Sequence, residues 1–305
     1  MKMLLQKESS AIITLAQNAV YAMLLETACH PSPGLVSPKS AGSHKDMNYF
    51  TFLSSSSALA PYYLLLAEVG YRFQGREEEL LVELRAWGLR AETDMFAATG
   101  GANTQKGLLF SLGLSVGAGG YALRYGSPPT AAQVRKVVER AAEPLRGELD
   151  AINDKRRAPS SKGDWAYLVH GFTGARGEAI CGFPAVFTCG LPALRGFLQA
   201  GYNLNDCLVG TLLHLMTSVA DTAVLARHGP AGLERVRAGA REAVLLGSVG
   251  TREGREKILA MEKAFAEEGL NPGGSADMLA LTVFFYLLEE QIPTKQLLSP
   301  SVFNF

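Results

Sequence analysis

Thr99-Gly100-Gly101-Ala102-Asn103-Thr104-Gln105-Lys106-Gly107 is the stretch on which the fold turns. Before it, Glu77 to Ala97 is strongly helical, with leucines at Leu80, Leu81, Leu84 and Leu89. After it, Thr104 to Ala118 is apolar enough for a buried helix. Gly100-Gly101 is the left-handed stop that commonly ends a helix, and Asn103 or Thr104 can cap the next one. Lys106 then falls in the first turn, where the helix dipole favours an anion over a cation. Two readings stay open: a solvated lysine in a helix connection, or a lysine and a helix start that grip a phosphate. The stretch is not a Walker motif. Gln105 sits where glycine should be, Gly107 where Ser or Thr should be, and no strand precedes it.

Four more glycine-bearing polar motifs interrupt the chain: Pro33-Gly34-Leu35-Val36, Gly42-Ser43-His44-Lys45-Asp46-Met47, Gly171 to Glu178, and Asn271 to Asp277. Each sets a glycine turn beside hydroxyls, amides, a charge or a helix start, and exposed N–H groups at helix starts favour anions. His44, Lys45 and Asp46 can supply a base, a phosphate ligand and a magnesium ligand, or be ordinary surface residues. Gly171, Gly174 and Gly177 let backbone approach a ligand. Beside them, Arg176 can clamp phosphate and Glu178 can act as base or reach a metal; the alternative is an Arg–Glu pair near a helix start. His214, Ser218 and Asp221 share one face of a helix read from Asn205 to Arg227. They form either a buried polar network or one wall of a site. Gly273-Gly274-Ser275 precedes a very apolar helix, with Ser275 as its N-cap. Asp277 lies in the first turn, as a dipole partner or as a magnesium or ribose ligand.

Around these motifs the periodicity predicts helix after helix. The first runs from Ser9 or Ser10 to about Ala28, and a polar loop follows to about Ser54. Helices are expected over Ser57–Val69, with Pro61 near the start, and over Thr130–Leu149. Asp150 to Asp164 reads as an exposed loop, in which Lys155-Arg156-Arg157 either is solvated or helps neutralise a polyphosphate. Further helices are expected over Gly232–Leu246, Arg252–Glu267 and Ser275–Glu289. Period-two runs of β-branched and aromatic residues are nearly absent. The expected fold is therefore all-α, a single-domain multi-helix bundle over residues 1–305 whose glycine-rich interhelical loops form a nucleotide cleft.

Composition narrows the function classes. With 29 basic and 29 acidic residues the formal charge is zero, so no basic face for nucleic acid is indicated. Cys29, Cys181, Cys189 and Cys207 form no Cys-x-x-Cys pair and read as reduced core thiols. Gly107 to Leu123 is uncharged, but it is shorter than the ~20 residues of a membrane span and glycine-rich, so a buried core helix is expected. Met1 to Glu8 lacks the apolar stretch of a secretory signal, and the compartment expected is the cytoplasm, with no membrane partner.

Six stretches in order resemble the triphosphoribosyl-dephospho-CoA synthase family: residues 31–36, 42–47, 95–107, 174–179 with 182–184, 220–222, and 271–280. The similarity spans about residues 15–290. It implies an all-helical enzyme in which the 2′-hydroxyl of 3′-dephospho-CoA attacks C1 of the ATP ribose. Adenine leaves and the triphosphate stays on the sugar. The product is the prosthetic-group precursor for the acyl carrier protein of citrate lyase or malonate decarboxylase, taken up by a downstream acyl-carrier-protein transferase. On this resemblance Lys45, Lys106 and Arg176 are phosphate ligands, with Gly100, Gly101, Asn103, Thr104, Gly273, Gly274 and Ser275 around them. Asp46, Asp221 and Asp277 are magnesium (Mg2+) or ribose ligands, Glu178 is the base, and His44 is the second choice. A homo-oligomer is compatible with the chain.

The sequence departs from the family pattern at several polar positions. Ser32 replaces a lysine, Ser37 an aspartate, Ser40 an asparagine and Gln105 a histidine. Ala220 and Ala223 stand where the family's Asp-Asp-Thr-Asn has its first aspartate and its asparagine. The alternatives are a divergent paralogue acting on another nucleotide or acceptor, and a non-catalytic nucleotide-binding protein.

Overall fold

The computed structural model describes residues 2–125, 128–154 and 158–290. They form thirteen α-helices: α1 Lys2–Ala28, α2 Tyr49–Arg72, α3 Leu80–Ala98, α4 Lys106–Leu123, α5 Ala131–Ala142, α6 Leu145–Asn153, α7 Lys162–His170, α8 Gly174–Ile180, α9 Leu191–Gln199, α10 Leu204–Ser218, α11 Thr222–Leu245, α12 Arg252–Glu268 and α13 Gly273–Glu290. Among the described residues there is no strand, only an isolated bridge between Ser37 and Ser40. The expected all-α class is what the chain adopts.

The core is built around α4. It packs against α1, α2, α3, α5 and α13, and nearly all of its side chains are buried. Its glycines have a packing reason. A Cβ on Gly70 of α2 would run into the carbonyl of Gly117, and one on Gly120 would run into the carbonyl of Ala67, so the backbones of α2 and α4 touch. One contiguous apolar cluster runs from Ile12 to Leu288. Its fully buried members include Tyr63, Leu112, Phe183, Phe265, Phe284 and Phe285, each contributing about 1.5–3 kcal/mol if an aliphatic or phenyl scale is applied.

Several boundaries differ from expectation. α1 begins at Lys2, not at Ser9 or Ser10. α2 begins eight residues early, because Asn48 and Thr51 close a reciprocal capping box inside the expected loop. Pro61 consequently sits in the helix interior. The expected helix over 130–149 is two helices, α5 capped by Thr130 and α6 beginning after Pro144, whose ring removes an N–H donor. The expected loop over 150–164 is mostly helical at its ends, since α6 runs to Asn153 and α7 starts at Lys162, capped by Ser161. Lys155-Arg156-Arg157 lies outside the described residues.

The helix expected over 205–227 breaks at Val219, Ala220 and Asp221. There Asp221 adopts an extended backbone and caps α11. His214, Ser218 and Asp221 therefore do not share one helix face. Of the cysteines, Cys29 and Cys207 are buried as expected. Cys189 is partly buried and Cys181 is exposed, correcting the reading of all four as core thiols; all four are free. The apolar segment at 107–123 is a buried core helix, as expected. Two other stretches, Ser9–Ala28 and Tyr49–Arg72, are long and apolar enough to cross a membrane by length and composition alone.

Candidate active site

All five glycine motifs meet at one cleft of about 900 Å³. Leu35 and Val36 come from the first, His44 and Asp46 from the second. The third contributes Gly101, Asn103, Thr104, Gln105, Lys106 and Gly107, and the fourth contributes Gly171 to Ala175 with Gly177 and Glu178. Asn271, Gly273, Gly274 and Asp277 come from the fifth. The starts of α4, α11 and α13 open onto this space through Gly107, Thr222 and Gly273; α11 is broken at Gly229, where the backbone leaves the helical region, so the segment that faces the cleft is short. Asp221 takes the Ala223, Val224 and Ser275 amides and Asn103 the Lys106 amide, so the attraction of this wall for anions rests on the helix dipoles and on the first-turn amides these side chains leave over.

Two side-chain contacts tie distant loops together. His44 Nε2 lies 2.9 Å from Asn271 Nδ2, and His44 Nδ1 lies 3.4 Å from Asp46 Oδ1. With the amide of Asn271 donating, the ring proton sits on Nδ1 and faces Asp46. Burial lowers the His44 pKa more than Asp46 raises it, so the ring favours its neutral form. The second tie is Asp221. Its Oδ1 accepts from the amides of Ala223 (3.0 Å) and Val224 (3.2 Å), and its Oδ2 accepts from the amide of Ser275 (3.0 Å). Burial nevertheless pushes this carboxyl up to about 6. One carboxylate thus joins the starts of α11 and α13.

The floor of the cleft is acidic. Asp277 lines it, and no hydrogen bond reaches its carboxylate among the described residues. Burial first, then the charges of Glu26 and Asp221, raise its pKa well above the usual carboxylate range. Glu26, from the end of α1, also lines the cleft, bonds Thr27, and is raised by burial to about 7. On another wall Glu178 accepts from the Ala185 amide (3.1 Å), and burial raises its pKa too. Carboxyls whose pKa burial raises are suited to move protons.

The predicted residues divide into those at the cleft and those elsewhere. His44, Asp46, Gly101, Asn103, Thr104, Lys106, Glu178, Gly273, Gly274 and Asp277 line it. Lys106 occupies the first turn of α4 and pairs with Glu92 at 2.6 Å, so the cation at the helix start has a protein partner. Lys45 is exposed and lies off the cleft wall, as does Gly100. Arg176 does not pair with Glu178. It turns to Asp164 (2.6 Å), away from the main cleft. Ser275 is not an N-cap, because α13 begins two residues earlier, and Asp277 for the same reason falls beyond the first turn where it was expected; the Ser275 amide serves Asp221 and its hydroxyl is buried without a partner among the described residues. Asn103 Oδ1, at 3.4 Å from the Lys106 amide, serves the start of α4, while Thr104 donates to Ser55.

Three wall residues escaped the sequence reading. Glu26 had a usable signal, being the one charged side chain between Ser9 and Ala28. Arg227 reaches the cleft from α11 and was invisible because the bend before Thr222 sets its direction. Asn271 was quoted within its motif, but its partnership with His44 depends on a contact across 227 positions.

The three expected metal ligands do not form one centre. Among the described residues no group of three or more His, Cys, Asp or Glu side chains is arranged to hold a metal. Asp221 spends both oxygens on backbone amides, and Asp46 sits at the rim beside His44. Asp277 remains as an oxygen donor on the floor. A single carboxylate fits the usual way magnesium is held, by one or two carboxylates together with water and substrate phosphates.

The chain matches the ATP:dephospho-CoA triphosphoribosyl transferase family over residues 13–296. It is 35% identical over 282 residues to a 2-(5''-triphosphoribosyl)-3'-dephosphocoenzyme-A synthase of Pectobacterium atrosepticum, covering 92% of this chain and 91% of that protein. Proteins of Malonomonas rubra and Lactiplantibacillus plantarum bear the same name with the qualifier "Probable". They are 37% identical over 270 residues (88% of this chain, 85% of that protein) and 35% identical over 275 residues (90% and 96%), respectively. No solved structure matches.

Proposed function

The chain belongs to the ATP:dephospho-CoA triphosphoribosyl transferase family, and from that premise we propose that the five-motif cleft is where ATP and 3′-dephospho-CoA react. The protein is a transferase. It moves the triphosphoribosyl group of ATP to the 2′-hydroxyl of 3′-dephospho-CoA, releasing adenine. The product serves as prosthetic-group precursor for the acyl carrier protein of citrate lyase or malonate decarboxylase, and a downstream acyl-carrier-protein transferase consumes it. The observation that carries this reading is the convergence of three helix starts and Lys106 on a cleft that also holds buried carboxyls. One feature suits a triphosphate and the other suits proton movement.

The chemistry asks for a new C1–oxygen bond, a broken C1–nitrogen bond, a proton removed from the hydroxyl and a proton supplied to adenine. The helix starts of α4 and α13, with Lys106 and Arg227, hold the triphosphate and so place ribose C1. Glu178 takes the hydroxyl proton, because a buried carboxylate is a stronger base than an exposed one. Glu26, raised to about 7, holds a proton at pH 7 and passes it to the departing base. His44 is neutral and fixed by Asn271, which suits it to orient a hydroxyl. Asp277 is the residue that would hold magnesium together with the substrate phosphates, and the ion would supply charge neutralisation.

A cytoplasmic location fits this reading, since the substrates are cytoplasmic nucleotides and the apolar sides of α1 and α2 pack against α4. The test is chromatographic detection of adenine released from ATP across a panel of acceptors. Release that depends on 3′-dephospho-CoA supports the reading. ATP binding without adenine release would leave a non-catalytic nucleotide-binding protein, and release with a different acceptor would leave a divergent paralogue.

A further inference from the structure

Beside the cleft lies a second cavity of about 360 Å³, between α3, α4, α6 and the start of α7. Its floor is leucine, chiefly Leu66, Leu81, Leu84, Leu109 and Leu114. Three ion pairs stand on its walls: Arg85–Glu148 at 2.7 Å, Lys106–Glu92 at 2.6 Å and Arg176–Asp164 at 2.6 Å. Each cation there is matched by a carboxylate. Lys106, Ser160 and Ser161 line both this cavity and the cleft, so the two spaces adjoin.

Gly88 lies on the wall in the interior of α3. A Cβ built on it meets nothing within 4 Å, and its φ is not positive. No turn and no close neighbour requires glycine at that position. Glycine in a helix interior destabilises the helix relative to alanine, and at 88 it leaves open space on the cavity wall that a larger side chain would occupy. Next to it Leu89, 60% exposed, forms an apolar rim.

We propose that this cavity receives the pantetheine arm of 3′-dephospho-CoA, an inference that rests on the transferase reading above. The acceptor is an adenosine diphosphate joined to a long uncharged arm with a dimethyl carbon, two amides and a thiol end. Its nucleotide suits the polar cleft, and its arm needs a neighbouring apolar slot. The second cavity has that character: a leucine floor, walls of balanced charge and a junction with the cleft at Lys106, Ser160 and Ser161.

The test compares binding of 3′-dephospho-CoA with that of ADP, which is the same nucleotide without the arm, by titration calorimetry on the whole protein. The wild type is expected to bind 3′-dephospho-CoA at least about tenfold tighter than ADP. Gly88→Phe fills the cavity from its wall, and Leu89→Trp fills it from the exposed rim, where folding is least at risk. Both should bring the ratio below about threefold. A wild-type ratio near one overturns the proposal. So does an unchanged ratio in Leu89→Trp or a folded Gly88→Phe, or a loss confined to ATP binding. Adenine release by the wild type is measured alongside. Its absence would fail the transferase reading, whereas its presence with an unchanged ratio would fail the arm subsite alone.

Discussion

Gly107, in the first turn of α4, and Asp277, just beyond the first turn of α13, stand so close that a Cβ on the glycine would collide with Oδ2 of the aspartate. The contact sets the carboxylate of one helix against the start of another, on the floor of the cleft. Glycine at 107 is therefore a condition for where Asp277 points. A methyl group there must push the carboxylate aside, and a side-chain end can yield without unfolding the protein.

Gly107→Ala is expected to separate activity from stability. Alanine favours a helix over glycine by about 0.5–1 kcal/mol, so the melting temperature should hold or rise. Adenine release should fall about tenfold or more as Asp277 is displaced. A variant with normal turnover would show that the position of Asp277 does not matter to the reaction.

Asp221→Ala tests the tie between α11 and α13. Removing its carboxylate strands the amides of Ala223, Val224 and Ser275, at a cost of about 1–3 kcal/mol. Thermal unfolding should register it as a drop of several degrees. The pH dependence has a definite sign. The folded carboxyl titrates at about 6, against 3.8 for the free group. Between those values the folded state binds more protons, so this group makes stability fall as pH rises. Denaturant titrations from pH 4 to 7 should lose that downward component in the alanine variant.

Asp164 has the opposite behaviour. Burial works against its ionised form, but the Ser160 amide and Arg176 outweigh it and hold the carboxyl at about 2, below the free value of 3.8. Its contribution is full above about pH 4 and is lost as pH falls toward 2. Arg176→Ala should raise this carboxyl, move acid unfolding followed by circular dichroism to higher pH, and cost about 1.5–3 kcal/mol at neutrality. An unmoved acid transition would mean that the pair contributes nothing.

How much of this was legible depends on whether a signal was local. Helix class was, because the apolar periodicity of α3 and α4 and the Gly100-Gly101 stop lie within single segments. The cleft's walls were legible as motifs, since glycines beside helix starts announce themselves. Partners were not. Arg176 sits two residues from Glu178 yet bonds Asp164, and Asp221 looks like a mid-helix residue until the chain bends at Val219. Asn48 and Thr51 show the same limit at shorter range, for their capping box is written in polar residues that read equally well as loop. Glu26 needed no long-range knowledge. A lone acid on an apolar helix was the clue.

Glu178→Gln isolates the proton-removing step. Glutamine keeps the length and can still accept from the Ala185 amide through its carbonyl, as Glu178 Oε2 does at 3.1 Å. What it lacks is basicity. Turnover should fall about 10²–10⁴-fold, with the ATP dissociation constant within about threefold of wild type. The pH profile gives a second readout. Burial raises this carboxyl above the free value of 4.5, and the base acts when ionised. The acid limb of kcat/KM in the wild type should therefore lie above 4.5, activity rising with pH through it. The residual activity of the glutamine variant should lack that limb. If it persists, another group sets it, and Glu26, raised to about 7, is the carboxyl next in line. Near-normal turnover in Glu178→Gln would remove Glu178 from the chemistry altogether.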